Sequence, residues 1–329
     1  MLSLPINIKN STPLKMTNHT NLFHTALHNA DVALLKIIPK SDLHNHAPLG
    51  SRLSDFEKAI AKKIEKPPSK LKSIAEMDDY IVCNLREHIV SLKGLETSMR
   101  LAFRQAKSDN IQKLEMSVDC LFAALFADKE IGLINLLQHI HQEEVPEIQY
   151  NPEIGLSRNA EIADVEQWIY PCIESGFFKS IDLYGDELLR DAKHYVPIYK
   201  IAQKHHLKLK SHAGEFGNAE SVRYTVETLE LNEVQHGIAA AQSADVMKWL
   251  RNNNIRLNVC PTSNVILGRV KNIETHPARK LADNGIVITI NSDDIMIFNQ
   301  SVSEEYLNLF QAGVFSANEL NIIRENGLR

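Results

Sequence analysis

The segment Asp42-Leu43-His44-Asn45-His46 places two imidazoles two residues apart. In an extended chain such side chains share a face, so both rings can reach a single metal ion. Two histidines this close say little alone, because His139 and His141 repeat the spacing. Three other segments give the pair company: Ser211-His212-Ala213-Gly214-Glu215, Gln235-His236-Gly237 and Asn291-Ser292-Asp293-Asp294. His44, His46, His212 and Asp293 together offer three neutral nitrogens and one anionic oxygen. That donor set leaves a coordination position open for water, as catalytic zinc requires. A satisfied core histidine or a helix-capping aspartate would explain each residue separately. Neither explains why all of them close strand-like runs.

Eight such runs can be read: Lys40–His46, Lys113–Asp119, Glu147–Leu156, Ser180–Tyr184, Leu207–His212, Glu233–His236, Ile255–Cys260 and Ile286–Asn291. In the fifth, Leu207, Leu209 and Ser211 alternate with Lys208 and Lys210; the last is apolar on both faces, as a parallel strand under helices is. Amphipathic stretches of helical length lie between the later runs: Glu187–His205, Asn218–Leu229, Ser243–Asn253, Pro277–Asn284 and Val302–Gln311. Regular alternation without a G-x-G-x-x-G turn predicts an α/β chain folded as a (β/α)8 TIM barrel. The metal-type residues then fall at the C-terminal strand ends, where barrels place their chemistry. Residues 51–110, rich in Lys, Leu and Glu around Pro67-Pro68, read as a helical cap inserted after the first strand. Residues 1–39 read as a polar arm leading into a helix, Leu22–Leu35, that could plug the barrel floor. The whole chain is expected to form one domain.

Composition limits the alternatives. A formal charge of −5 argues against a polyanionic partner such as nucleic acid. No apolar run is long enough to cross a bilayer. The first twenty residues contain neither a continuous apolar core nor an arginine, so neither a secretion signal nor a mitochondrial presequence is expected. Cys83, Cys120, Cys172 and Cys260 are scattered, which suits reduced thiols in the cytoplasm and leaves any metal to histidine and carboxylate. His19, His24 and His28 read as an ordinary helix face rather than a second metal stripe.

Taken together, Pro39-Lys-Ser-Asp-Leu-His-Asn-His46, Ile181-Asp-Leu-Tyr-Gly-Asp-Glu187, the Ser211–Glu215 and Gln235–Gly237 segments, Cys260-Pro-Thr-Ser-Asn264, His276-Pro277 and Asn291–Asp294 resemble the adenosine deaminases of the metal-dependent amidohydrolase superfamily. The resemblance runs from about Ile38 to Tyr306. It implies one zinc ion per chain, held by His44, His46, His212 and Asp293. It implies that Glu215 protonates the purine ring nitrogen beside the amino-bearing carbon. By the same likeness His236 orients and helps deprotonate the attacking water, Asp294 bonds the imidazole-ring nitrogen, and Gly185 offers its backbone to the base. The substrate implied is a small 6-aminopurine: adenosine, adenine, AMP or an N6-modified relative. The Cys260–Asn264 segment reads as a structural turn closing the seventh strand.

The likeness breaks in one stretch. The family follows its H-x-H with a Leu, one further residue and a Gly, whereas here the run is His46-Ala47-Pro48-Leu49-Gly50. The group that helps hold the ribose is therefore missing, and Arg52 and Lys58 become candidates for a phosphate. Ile295 stands where proline is common. Two other classes were weighed: another amidohydrolase chemistry, and a silent relative acting as a binding protein. A glutamate three residues after a metal histidine favours ring-nitrogen protonation over the first. Retention of every catalytic-type residue speaks against the second. The cytidine-type deaminases are a separate pattern, H-x-E with P-C-x-x-C, and Pro171-Cys172 lacks its second cysteine.

Overall fold

The structure is a computed structural model that describes residues 13–329. The first twelve residues of the expected N-terminal arm lie outside it. Among the described residues one sheet has eight strands in chain order: β1 (Lys40–His46), β2 (Ile111–Asp119), β3 (Gln149–Ser157), β4 (Ser180–Tyr184), β5 (Lys208–Ala213), β6 (Glu233–His236), β7 (Arg256–Val259) and β8 (Ile288–Ile290). Every neighbouring pair is parallel. A bridge between Asn45 and Asp293 joins the last strand to the first, with the Asp293 N–H donating to the His44 carbonyl at 3.0 Å. The architecture is the (β/α)8 barrel that the alternation predicts.

Two strands end earlier than expected. Past β8 the backbone pairs only at single points, Asn291 with Val259 and Asp293 with His44, and the Asn291 side chain adds a contact by accepting from the Leu43 N–H at 2.8 Å. Similarly, the predicted helix Glu187–His205 starts only at Val196, after a short 3-10 turn at Ala192–Tyr195. Glu187 is occupied elsewhere: its carboxylate accepts from the backbone N–H groups of Gly214, Phe216 and Gly217, beyond β5. The expected helix Leu22–Leu35 is two helices, Pro13–His28 and Val32–Lys36. Ala30 turns left-handed (φ 52°) between them, and Asp31 caps the second by accepting from the Leu34 N–H. The first of the two packs on the second and on the last two helices, Val302–Gln311 and Ala317–Leu328, rather than beneath the strands.

The insertion divides in two. Helices Leu53–Ile60, Ile74–Asn84 and Arg86–Ile89 share a separate apolar cluster with Leu267 and Met296–Phe298. Helix Leu92–Ser108, the last part of the predicted cap, packs on Leu53–Ile60 and Arg86–Ile89 and also on β2 and the next barrel helix, Glu130–Glu144. Its apolar face (Leu95, Met99, Ala102, Phe103) explains this, because those side chains join the main core between strands and helices.

Inside the barrel the packing is ionic. Lys210 is fully buried, with its ammonium 2.5 Å from Glu115, 2.6 Å from Glu153 and 3.1 Å from the Leu43 carbonyl. Lys208 reaches Glu115 and Glu233, and Arg256 also pairs with Glu233. Three cations thus meet three carboxylates, which allows charge to be buried at all. Leu209 faces outward into the helices, where it joins the core.

Candidate active site

Strand ends deliver the predicted residues to one place. The Nε2 atoms of His44 and His212 stand 3.0 Å apart. Asp293 Oδ1 lies 3.6 Å from His44 Nε2 and 3.5 Å from His46 Nε2, and the ligand atoms of all four residues fall within 4.8 Å of one another. The other ring nitrogens fix the tautomers. His44 Nδ1 faces the Asn258 carbonyl at 3.1 Å, and His212 Nδ1 faces Asp182 at 3.2 Å. Both Nδ1 atoms therefore donate, which leaves the two Nε2 atoms turned toward each other as the ligating nitrogens. Two imidazole nitrogens and a carboxylate oxygen this close together make a donor set suited to a cation such as zinc. The residues fit a metal. Carboxylate-to-histidine support of this kind is the usual second layer of such sites.

Burial keeps His44 neutral well below the ordinary imidazole range and lowers His46 to about 3, so both are ready to ligate. Burial opposes a proton on His212 too, but the Asp182 carboxylate outweighs it and raises that pKa. Asp293 and His236 both adopt left-handed backbone, with φ of 58° and 62°. Such strain is tolerated where the fold over-determines it, as at the ends of these paired strands.

Around this centre lies a cavity of about 460 Å³ at the C-terminal mouth. His46, Gly185, His212, Glu215, His236, Asp293 and Asp294 all line it, and the buried His44 adjoins it through His212. Helices Ile74–Asn84 and Arg86–Ile89 roof it with Ile74, Met77, Ile81 and Ile89. A largely apolar cavity with a few convergent polar groups suits a small flat ligand. Glu215 is only 8% exposed, and burial, then the carboxylates of Asp293, Glu187 and Asp294, push its pKa well above the carboxylate range. Asp294 is raised likewise by burial, Asp293 and Asp78, and its Oδ1 has no partner. For both acids the surroundings favour the protonated form. Gly185 takes φ +90°, and a Cβ there would stand 2.9 Å from Asn159 Oδ1. Glycine is needed for this turn.

Arg52 and Lys58 do not line the cavity. Arg52 pairs with Glu304 and bonds Asn299, and Lys58 pairs with Asp55. Sequence reasoning also passed over Asp182, an acid in the apolar run Ser180–Tyr184 whose oddity was the available signal. It read Cys260–Asn264 as a turn. In the structure Pro261–Ile266 is a helix, and the Asn264 side chain faces both Glu215 and His236.

An eight-stranded barrel with this cluster at its mouth belongs to the amidohydrolase class. The adenosine deaminase family model matches residues 157–329. A putative adenosine/adenine deaminase of Treponema pallidum is 34% identical over 278 residues, 84% of this chain and 93% of that protein. The chain therefore belongs to the adenosine deaminase family. Among solved structures, an adenine deaminase of Arthrobacter aurescens superposes with a TM-score of 0.75 at 19% identity, covering 88% of this chain and 93% of its own. A zinc-bound amidohydrolase of Burkholderia ambifaria gives 0.73 at 19%, covering 97% and 89%. At such identities these two attest the fold.

Proposed function

We propose that this protein is a single-domain, zinc-dependent aminohydrolase that exchanges the 6-amino group of adenosine, or a close 6-aminopurine, for oxygen and releases ammonia. The observation that carries it is the convergence of four residues able to hold a metal and of the buried Glu215 on one cavity. One zinc ion held by His44, His46, His212 and Asp293 would act as a Lewis acid that activates water at neutral pH. Zinc rather than another metal is favoured by three imidazoles with one carboxylate, and the Burkholderia neighbour carries it.

The chain's own groups then divide the work. Glu215 donates its proton to the ring nitrogen beside the amino-bearing carbon, which draws electron density from that carbon and eases attack. Asp294 donates to the imidazole-ring nitrogen, and the Gly185 backbone meets the opposite edge of the base. His236 orients the attacking water. The apolar roof excludes bulk solvent, which strengthens each of these bonds. One water is consumed overall: its oxygen becomes the 6-oxo group, one of its hydrogens replaces the proton that Glu215 gave to the ring, and the other leaves on the amino nitrogen as ammonia.

Among the cavity-lining residues the one cation besides histidine is Arg86, which is exposed, and the acids Asp78 and Asp119 also line the cavity. A phosphorylated purine would find a single exposed arginine there to receive its phosphate, so the nucleoside or free base is the favoured substrate. Four free cysteines, and the lack among described helices of one long and apolar enough to cross a membrane, agree with a cytoplasmic site of action. An ultraviolet assay over adenosine, adenine, AMP and N6-methyl-AMP tests the reading, with ammonia measured alongside. Loss of adenine-type absorbance with stoichiometric ammonia is expected for adenosine or adenine. Silence across the whole panel of zinc-loaded protein would sink it.

A further inference from the structure

The tautomer of His236 can be worked out from a backbone amide some forty residues away. The Ala278 N–H, at the start of helix Ala278–Asp283, donates to His276 Nδ1 at 3.1 Å. A backbone N–H can only donate, so His276 Nδ1 must accept. His276 is buried and neutral, its pKa pushed down to about 3, so its one ring proton lies on Nε2. That nitrogen faces Asn264 Oδ1 at 3.3 Å. The amide of Asn264 thus has its oxygen toward His276, and its NH2 toward the pocket. There Nδ2 stands 3.1 Å from His236 Nδ1 and 3.4 Å from Glu215 Oε1. An amide has two protons, one for each. Turning Asn264 over would set its NH2 against the His276 N–H, so the usual ambiguity of amide orientation is removed here.

We infer that Asn264 and His276 are positioning residues that lock His236 as the Nε2–H tautomer, so that His236 presents a hydrogen-bond donor, not a base, to the catalytic centre. His236 Nε2 is the atom that faces Glu215 Oε2 at 3.5 Å and Asp293 Oδ2 at 3.8 Å. With a proton on that nitrogen, no lone pair is left there to take one from water. His236 then orients water by donating to its oxygen. The same relay holds Glu215 by the oxygen that Asn264 contacts, leaving the other free toward His236. The inference rests on the proposed deaminase reading for its kinetic consequence, but the tautomer stands or falls by itself.

Ring-15N labelling of histidine in the zinc-loaded protein tests it, since nitrogen-to-ring-proton correlations separate the two neutral tautomers. Signals are assigned with His236→Asn and His276→Gln. Wild type should show both His236 and His276 as Nε2–H. His276→Phe keeps a buried ring but loses the donor, so Asn264 can turn. There His236 should become a mixture of tautomers, and kcat should fall about tenfold, a fraction of what proton-transfer groups supply, with KM little changed. His276→Gln has an amide donor and should restore kcat to within about threefold. A wild-type His236 with its proton on Nδ1 overturns the inference, whatever the variants do. So does a His276→Phe protein with unaltered tautomer and kcat. If the tautomers are as assigned but no 6-aminopurine reacts, the deaminase reading fails and the relay remains.

Discussion

In the proposed reaction Glu215 enters each cycle carrying a proton, and its surroundings favour that form. Burial is the largest cause of its raised pKa, and the neighbouring carboxylates add to it. The sign of the pH dependence follows. The protonated acid is the working form, so kcat should fall as pH rises through the raised pKa of Glu215. A site that needed a free carboxylate would lose rate in the opposite direction. Glu215→Gln keeps the shape and the contact to Asn264 but has no proton to give. We expect bound zinc to stay stoichiometric by elemental analysis while kcat drops about 100-fold or more. Full turnover in that variant would remove Glu215 from the reaction.

At the scale of elements, the residues that the structure gathers at the mouth were legible because each stands locally at or just past the close of a strand-like run, as a histidine or a carboxylate. Strand existence was legible for the same reason, and β1, β4 and β6 begin and end where the pattern puts them. What the pattern could not tell was which side of a strand faces the barrel axis. In β5 the apolar Leu209 goes out to the helices, and the charged Lys210 goes in. The reason is that Glu115 and Glu153 arrive from β2 and β3, distant segments that a local window cannot join. Asn264 and His276 were opaque on the same grounds, since their partners are assembled only when β5, β6 and the later loops close together. Lys210→Met tests how much the interior network matters. It leaves Glu115 and Glu153 buried without their shared cation, which should cost on the order of 3–5 kcal/mol in denaturant unfolding. Replacing both glutamates by Gln in the same chain should recover much of that loss. If Lys210→Met unfolds like the parent, the network contributes little to register or stability.

The whole molecule's response to pH is set by buried groups of opposite sign. Burial lowers His276 and His46 from 6.5 to about 3. Each is neutral in the fold and charges more readily unfolded, so stability present above 6.5 is lost as pH falls toward 3. Burial raises Glu305 from 4.5 to about 8 and Asp42 from 3.8 to about 7. These acids stay protonated in the fold and ionise first in the unfolded chain. Their contribution is whole below about pH 4 and is lost as pH climbs through 7 and 8. Between roughly pH 4 and 6.5 the two sets oppose each other, and outside that window one acts alone. The expected curve of Tm against pH is a plateau in weak acid with a falling limb on each side. The limbs can be assigned separately. Glu305→Gln should flatten the alkaline limb and leave the acid limb alone, because an amide at that place can never ionise. His276→Gln should do the reverse. If Glu305→Gln leaves the alkaline slope as steep as before, Glu305 is already ionised in the fold, and the buried interior near Thr262 must be wetter than its packing indicates.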